Sequence, residues 1–259
     1  MFSTLKAFFR ADILHEFDNP FGFLSPYLFV GLNITLFYSL HQWVQPVQQD
    51  LFSFFVQGWS LFLVTHRGLE KFVREIRREM SAGTLEMGWA SGVSTFSLLG
   101  GIALWPFING FLQMGLAMIL GGILTHGVVL HLFGIHFWIA ATLGILLYFL
   151  IGLVIGSQIL MTRRGNSVVT FLSYLGLVLS GVFFPVTALP QWLQFFSSWF
   201  PLTHLLKIAR GESWLNDPAG IIIFTFLILS GLLGMGLLRY AFWRIRRDGT
   251  LAYFASHPT

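Results

Sequence analysis

The chain has 259 residues, of which 55% are hydrophobic and only 10% are charged. This charged fraction is far below the roughly 25% of a soluble globular domain, so the composition excludes a soluble enzyme or binding module and favours a bundle embedded in lipid. The absence of cysteine excludes disulfides and thiolate chemistry. The formal net charge is +4, but the basic residues flank hydrophobic stretches, so they indicate membrane topology and lipid contacts and argue against nucleic acid binding.

The first predicted element is an interfacial helix over residues 1–19. Leu5, Phe9, Ile13 and Phe17 form an apolar stripe at helical spacing, although two acidic residues fall within its arc. The charges scattered over this segment leave no continuous apolar run, so we predict no cleavable signal peptide.

Six stretches that could cross a bilayer follow along the chain. A span needs about 20 mostly apolar residues, and the runs without Asp, Glu, Lys or Arg set their limits. We predict an all-α polytopic membrane protein with spans at roughly 23–42, 51–68, 96–123, 136–161, 167–185 and 219–241. Residues 1–259 then form one transmembrane domain, whose two large extramembrane pieces are residues 67–94 and 185–217.

The distribution of basic residues predicts the orientation. With both ends in the cytoplasm, all of the 15 basic residues except Lys207 and Arg210 lie on the inner side. A seventh span over residues 188–206 would move the C-terminal arginine cluster outside, and Pro185 precedes that stretch while Pro190 and Pro201 break it. We therefore predict a re-entrant outer segment between spans five and six, with a short helix at 191–200 whose Trp192 and Trp199 suit the membrane–water boundary.

The inner piece after span two carries charges at helical spacing. Leu69, Phe72, Val73 and Ile76 form an apolar stripe among them. This pattern predicts an amphipathic cytoplasmic helix that continues from span two and stops near Gly83. A solvated charged helix of no special role explains the pattern equally well.

Two motifs resemble those of type-2 ABC exporter permeases. Residues 79–86 read E-M-S-A-G-T-L-E, which is similar to the E-x-x-x-G-T-L-E signature of that family. Residues 180–210 resemble its outer pattern of G-x-x-F-P, L-P-x-W-L and P-L-T-H, with an arginine six residues after the histidine. Lys207 departs from the pattern, because such exporters often carry an acidic residue there, and the N-terminal region lacks a polysaccharide-exporter motif. The matching outer residues are Gly181, Pro185, Leu189, Pro190, Trp192, Leu193, Pro201, Leu202, Thr203, His204 and Arg210.

The resemblance implies the permease subunit of an ATP-driven exporter in a bacterial inner membrane, moving an amphipathic or lipid-like cargo out of the cytoplasm or inner leaflet. A second copy would complete the pore, giving a homodimer, and each copy would dock a separate ATP-binding subunit that carries ATP and Mg. The inner helix would be the coupling helix at that contact. The coupling residues implied are Arg74, Glu75, Arg78, Glu79, Gly83, Thr84, Leu85 and Glu86.

The chain carries no nucleotide-binding motif of its own. None of its lysines, Lys6, Lys71 and Lys207, follows a glycine-rich loop, so we expect no bound cofactor and no enzymatic activity. No acidic or basic residue lies deep within a predicted span, which argues against a proton- or ion-coupled transporter. The alternatives are a polytopic membrane enzyme and a non-transporting assembly or sensor subunit of an ABC complex.

Uncharged polar residues within the spans are candidates for the cargo pathway, although such residues more often hold helices together. The pathway candidates are Asn33, Tyr38, Asn109, Gln113, Ser173, Tyr174 and Ser180. Gly152 and Gly156 form a G-x-x-x-G in span four, a spacing that permits close packing but also arises by chance among 27 glycines.

Five histidines are predicted outside, and a membrane enzyme would use them. Three of them recur every five residues, a poor spacing for one helical face, and no Asp, Glu or Cys stands near, so we predict no metal site. The five are His41, His126, His131, His136 and His204.

Overall fold

The computed structural model describes residue 14 and residues 19–44, 50–84, 92, 95–162, 166–211 and 218–248. Within these ranges the chain is helical and contains no strand. The predicted interfacial helix, apart from Leu14 and Asn19, lies outside the described residues, as do Leu85 and Glu86.

The described helices follow the predicted order of spans. They are α1 (Pro20–Val44), α2 (Asp50–Phe62), a π-helical turn (Leu63–Arg67), α3 (Gly68–Ala82), α4 (Thr95–Leu124), a 3-10 turn (Val128–Leu132), α5 (Ile135–Thr162), α6 (Asn166–Leu179), a 3-10 turn (Val186–Ala188), α7 (Gln191–Ser197), α8 (Pro201–Ala209) and α9 (Pro218–Asp248).

Four of these helices, α1, α4, α5 and α9, are each long and apolar enough to cross a membrane. Their outer faces carry large apolar side chains, such as Phe21, Leu32, Ile123 and Leu232, that stay exposed in the isolated bundle. Water-soluble monomers rarely expose contiguous apolar faces of this kind, whereas lipid covers them without cost. The prediction of an all-helical, multi-pass membrane protein is therefore confirmed.

The helix α2, the π turn and α3 run without interruption from residue 50 to residue 82, and we call this element the rod. At 1.5 Å per residue it is about 50 Å long, enough to traverse a bilayer. It lies antiparallel to α4, because Val56 faces Gly121 and Gly68 faces Phe107 near opposite ends of the contact. The helix over the second predicted span therefore continues into the charged helix without a break.

The charged part of the rod packs inside the bundle. Leu69, Phe72, Val73 and Ile76 are all buried, because α3 packs against α4 and α5. The apolar stripe holds the helix beside the second half of α5, where Phe72 meets Gly152 and Ile76 meets Gly156. The basic side chains of α3 therefore lie alongside the last turns of α5.

The bundle has two ends, which we name by residues. The Asn19 end holds the start of α1 together with Arg74 and Arg78 of α3. The Thr125 end holds the last turns of α1 and α4 with the first residues of α2. The segment after α5 returns from the Asn19 end towards the Thr125 end, since Gly176 approaches His66 and Val182 approaches Gly58.

The predicted fifth span is shorter than expected. Its helix α6 ends at Leu179, and the chain then turns at Gly181, whose φ of +83° favours glycine. The predicted helix at 191–200 is present as α7 over Gln191–Ser197, and a second short helix, α8, follows it and packs against α5 and α9.

Candidate functional site

The predicted coupling helix ends as its sequence indicated. Gly83 adopts a left-handed conformation with φ of 70°, and its N–H donates to the Met80 carbonyl at 3.2 Å. Beyond it, the Thr84 hydroxyl donates to the Glu79 carboxylate. Arg78 pairs with Glu75 at 2.8 Å and with Glu79 at 3.1 Å. Neighbouring members of the E-x-x-x-G-T-L-E motif are thus tied to one another, while Leu85 and Glu86 lie outside the described residues.

A cavity of about 430 Å³ lies at the Asn19 end, between the start of α1, the rod and α4. We call it the basic pocket. Three predicted coupling residues, Arg74, Glu75 and Arg78, line this pocket. Two pathway candidates, Asn109 and Gln113, line it as well. Two sets that the sequence analysis treated as separate are therefore one site. The remaining polar residues lining it are Asn19, Ser25, Arg67 and Lys71.

The two amides of the basic pocket belong to a short hydrogen-bond chain. The Gln113 Nε2 donates to the Asn109 Oδ1 at 2.6 Å, and the Asn109 Nδ2 donates to the Tyr27 hydroxyl at 3.0 Å. Asn109 is 1% exposed and Gln113 is 5% exposed, so both amides are buried. This chain links α4 to α1 and positions the amides at the closed side of the pocket.

The cations of the rod are held against aromatic rings. The Arg67 guanidinium lies 5.4 Å from the centroid of the Phe29 ring and 3.4 Å from the Glu70 carboxylate. The Lys71 ammonium lies 5.6 Å from the Trp105 ring centroid. Cation–π contacts are stronger where water is scarce, which suits charges that lie beside a span.

The outer motif forms a second constellation at the Thr125 end. Arg210 donates from Nη2 to the Gly181 carbonyl at 2.9 Å, and its guanidinium lies 3.4 Å from the centroid of the Phe54 ring. Gln57 donates to the Ala209 carbonyl at 2.9 Å and to the Leu132 carbonyl at 3.0 Å. The first and last residues of the motif are thereby joined to each other and to the rod.

The corner between α7 and α8 explains the central motif residues. The Thr203 hydroxyl donates to the Ser197 carbonyl at 2.8 Å, and the Ser197 hydroxyl donates to the Leu179 carbonyl at 2.7 Å. The His204 Nε2 lies 2.9 Å from the Ser198 carbonyl. Pro185 and Pro190 precede short helices and Pro201 begins α8, while Trp192 is 65% exposed. These contacts hold the outer segment in its folded shape.

The other pathway candidates do not gather at the basic pocket. Asn33 bonds to the Phe29 carbonyl of its own helix at 2.8 Å, and Tyr38 packs on Phe52 at the Thr125 end. Tyr174 is 58% exposed. Ser173 and Ser180 are buried, and their hydroxyls have no hydrogen-bond partner among the described residues.

The structure separates the five outer histidines. His41 and His126 line one cavity of about 540 Å³ with Tyr38. His131 and His136 line another of about 450 Å³, with Arg210. Within the described part of the chain, no three His, Cys, Asp or Glu residues lie close enough together to hold a metal ion.

The π turn holds a polar cluster that no sequence motif predicted. The His66 Nε2 lies 3.1 Å from the Tyr148 hydroxyl, and its Nδ1 lies 3.3 Å from the Thr65 hydroxyl. All three side chains are buried between the rod and α5. π turns recur at functional sites. The sequence offered one sign of this turn, a single histidine at the end of an apolar run, and a single histidine does not predict a polar cluster.

A bundle of long apolar helices, with the charged part of the rod and a polar pocket at one end, fits a membrane transport subunit. The family described as ABC-2 family transporter protein matches residues 27–240, and the chain belongs to that family. The predicted type-2 ABC permease is therefore confirmed, and the family implies work with an ATP-binding subunit. No curated protein matches the chain significantly.

Proposed function

We propose that this chain is the permease subunit of an ATP-driven exporter in a bacterial inner membrane, with six spans and both ends in the cytoplasm. The Asn19 end of the bundle then faces the cytoplasm. The observation that carries the proposal is the rod, because one uninterrupted helical element connects the E-x-x-x-G-T-L-E motif to the packed spans. The whole chain acts as a single transmembrane domain.

The partner ATPase acts on the C-terminal end of the rod, at the end of α3. Arg74, Glu75, Arg78, Glu79, Gly83 and Thr84 form the described part of the coupling surface, which Leu85 and Glu86 extend. Closure of the partner ATPase pair around ATP and Mg would push this surface. Since Phe72 and Ile76 fit against Gly152 and Gly156, the push reaches α5 with little loss.

The six-span topology is supported by the directions of the helices. The rod lies antiparallel to α4 along most of its length, and the segment 166–183 returns from the Asn19 end to the level of Gly58. The rod and the segment 166–183 therefore run alongside the four long helices of the bundle. The outer motif between Gly181 and Arg210 then forms the re-entrant outer segment. A second copy completes the pathway as a homodimer.

Co-purification tests the proposed function. A tagged chain purified from its native membrane is expected to retain a subunit that hydrolyses ATP and carries G-x-x-x-x-G-K-[S/T]. Glu79→Gln and Glu86→Gln should each weaken this association by about thirtyfold or more, because truncating one partner of a charge pair at an interface costs about 2 kcal/mol or more. Glu70→Gln, on the same helix but paired with Arg67, is the matched control and should retain the subunit. A chain that purifies without any ATPase would contradict the proposal.

A further inference from the structure

We propose that the π turn is the joint of the rod, and that the contact between His66 and Tyr148 fastens this joint to α5. When the partner ATPase acts on α3, the helices α3 and α5 then move as one body relative to α2. The inference rests on the proposed function for the force that the joint transmits. His66 and Tyr148 belong to neither of the two family motifs.

One stripe of α5 fastens the π turn and α3 to this helix. A Cβ placed on Gly144 would lie 2.7 Å from the Cγ2 of Thr65. One turn further along α5, the Tyr148 hydroxyl lies 3.1 Å from the His66 Nε2. The next two turns carry the glycines of the G-x-x-x-G, which fit against α3. Residues four apart share one face of a helix, so these four contacts hold the π turn and α3 to a single face of α5. The stripe consists of Gly144, Tyr148, Gly152 and Gly156.

The other arm of the rod, α2, is fastened to a different part of the bundle. Gln57 donates to the Ala209 carbonyl at 2.9 Å. A Cβ placed on Gly58 would lie 2.8 Å from the Val182 carbonyl oxygen. Both contacts join α2 to the ends of the outer motif, whereas α3 is joined to α5. The partners of the rod therefore change at the π turn.

The centre of the π turn is held by close contacts with two other helices. A Cβ placed on Gly110 of α4 would lie 3.1 Å from the Leu63 carbonyl oxygen and 3.2 Å from the Val64 Cα. On the side of α6, a Cβ placed on Gly176 would lie 2.8 Å from the His66 Nε2. These contacts oppose a sideways shift of the turn, and π turns are among the few places where long helices bend sharply. A change of bend at this point therefore leaves the rod in its place in the bundle.

His66 is the polar link between the joint and α5. Its Nε2 faces Tyr148, and its Nδ1 lies 3.3 Å from the Thr65 hydroxyl, which donates to the Leu61 carbonyl at 2.8 Å. The three side chains are buried. Separating the π turn from α5 would leave buried polar atoms without partners, which is unfavourable. Movement of α3 and the joint is therefore transmitted to α5.

Spin-label distances in the complex with the partner ATPase test the inference. The pair Leu51→Cys and Ile135→Cys, at exposed positions, reports the distance between α2 and α5. The pair Arg77→Cys and Gln158→Cys, also exposed, reports the distance between α3 and α5. Labelled chains are diluted with unlabelled copies, so that distances within one chain dominate.

An ATP analogue that is not hydrolysed should change the distance between α2 and α5 and leave the distance between α3 and α5 constant. The 13 residues of α2 form an arm of about 20 Å, so a bend of about 10° moves its end by about 3 Å. Equal changes in the two distances, or no change in a complex that hydrolyses ATP, would overturn the inference.

Tyr148→Phe tests the link itself, because it removes only the hydroxyl that faces His66. The complex should still assemble, but the change between α2 and α5 should fall by at least half. His66→Phe combined with Tyr148→Phe leaves neither polar atom of the pair behind and should show the same loss even if the single variant folds poorly. Tyr240→Phe removes the same group from an exposed residue of α9 and should retain the full change.

The remaining outcomes count against the proposals in different ways. A full change in Tyr148→Phe, or an equal loss in Tyr240→Phe, would refute the role of the link. A chain that purifies without an ATPase would refute the proposed function and, with it, the force on the joint. A complex that retains the ATPase but moves as one rigid body would refute the joint alone.

Discussion

At the scale of single residues, close packing of the rod depends on glycine. A Cβ placed on Gly152 would lie 2.6 Å from the Phe72 ring, and one on Gly156 would lie 2.7 Å from the Ile76 side chain. The two glycines and their two partners each stand four residues apart, so one turn of α5 matches one turn of α3. The sequence shows the G-x-x-x-G spacing of span four. It does not show which helix packs against these glycines, because that contact joins residues distant in the chain.

We expect Gly152→Val to lower the free energy of unfolding by about 1–3 kcal/mol, the usual cost of overpacking a core. Phe72 is fully buried, so its ring would have to move against neighbouring side chains. Thermal unfolding in detergent, followed by tryptophan fluorescence, measures the change. Gly236→Val is the control, because a Cβ there meets nothing within 4 Å. Equal shifts for the two variants would show that valine in a helix, rather than the contact with Phe72, is responsible.

At the scale of elements, the rod and the outer segment show which structural features a sequence pattern can predict. The stripe from Leu69 to Ile76 predicted an amphipathic helix, and the helix is there. The pattern placed this helix in the cytoplasm and did not say what its apolar face contacts. The structure buries the apolar face against α4 and α5, so the charged face lines a cavity. A hydrophobic stripe predicts that one face of a helix is buried, but it does not predict which element buries that face.

The outer segment depends on Arg210, which ties α8 to the turn after α6 and to the rod. We expect Arg210→Gln to destabilise the fold by about 1–3 kcal/mol, through loss of the contact with the Phe54 ring and the bond to the Gly181 carbonyl. Proteolysis of the segment 181–211 in detergent should become faster. Lys207→Gln, one turn earlier on α8, removes the same charge and should leave the cleavage rate near that of the parent. Equal acceleration by both variants would indicate that net charge is the cause.

At the scale of the whole molecule, the number of crossings decides where each loop lies. If only the four long helices crossed the membrane, the loop between α4 and α5 would face the cytoplasm. With six crossings it faces outward. The bundle supports the second arrangement, because the rod spans from the Thr125 end to the Asn19 end alongside α4.

Cysteine labelling separates these topologies, since the parent chain contains no cysteine. Gly134→Cys, at an exposed position in the α4–α5 loop, should react with a membrane-impermeant maleimide in intact cells. Gln194→Cys should also react, whereas Asp248→Cys should react only after permeabilisation. Protection of position 134 in intact cells would contradict the six-span topology.

The sequence by itself determined the membrane class, the long apolar helices, the end of the charged helix at Gly83 and the family motifs. These properties depend on composition, length and short-range spacing, which are local along the chain. Only the tertiary structure decided that Arg74 and Asn109 share one pocket, that the histidines predicted outside separate into different cavities, and that the cations of α3 lie beside α5. Such neighbours come from contacts between distant segments, as between Asn109 and Tyr27, 82 residues apart. Helical periodicity predicts which face of each helix is apolar. Which of these faces contact one another is determined by tertiary packing.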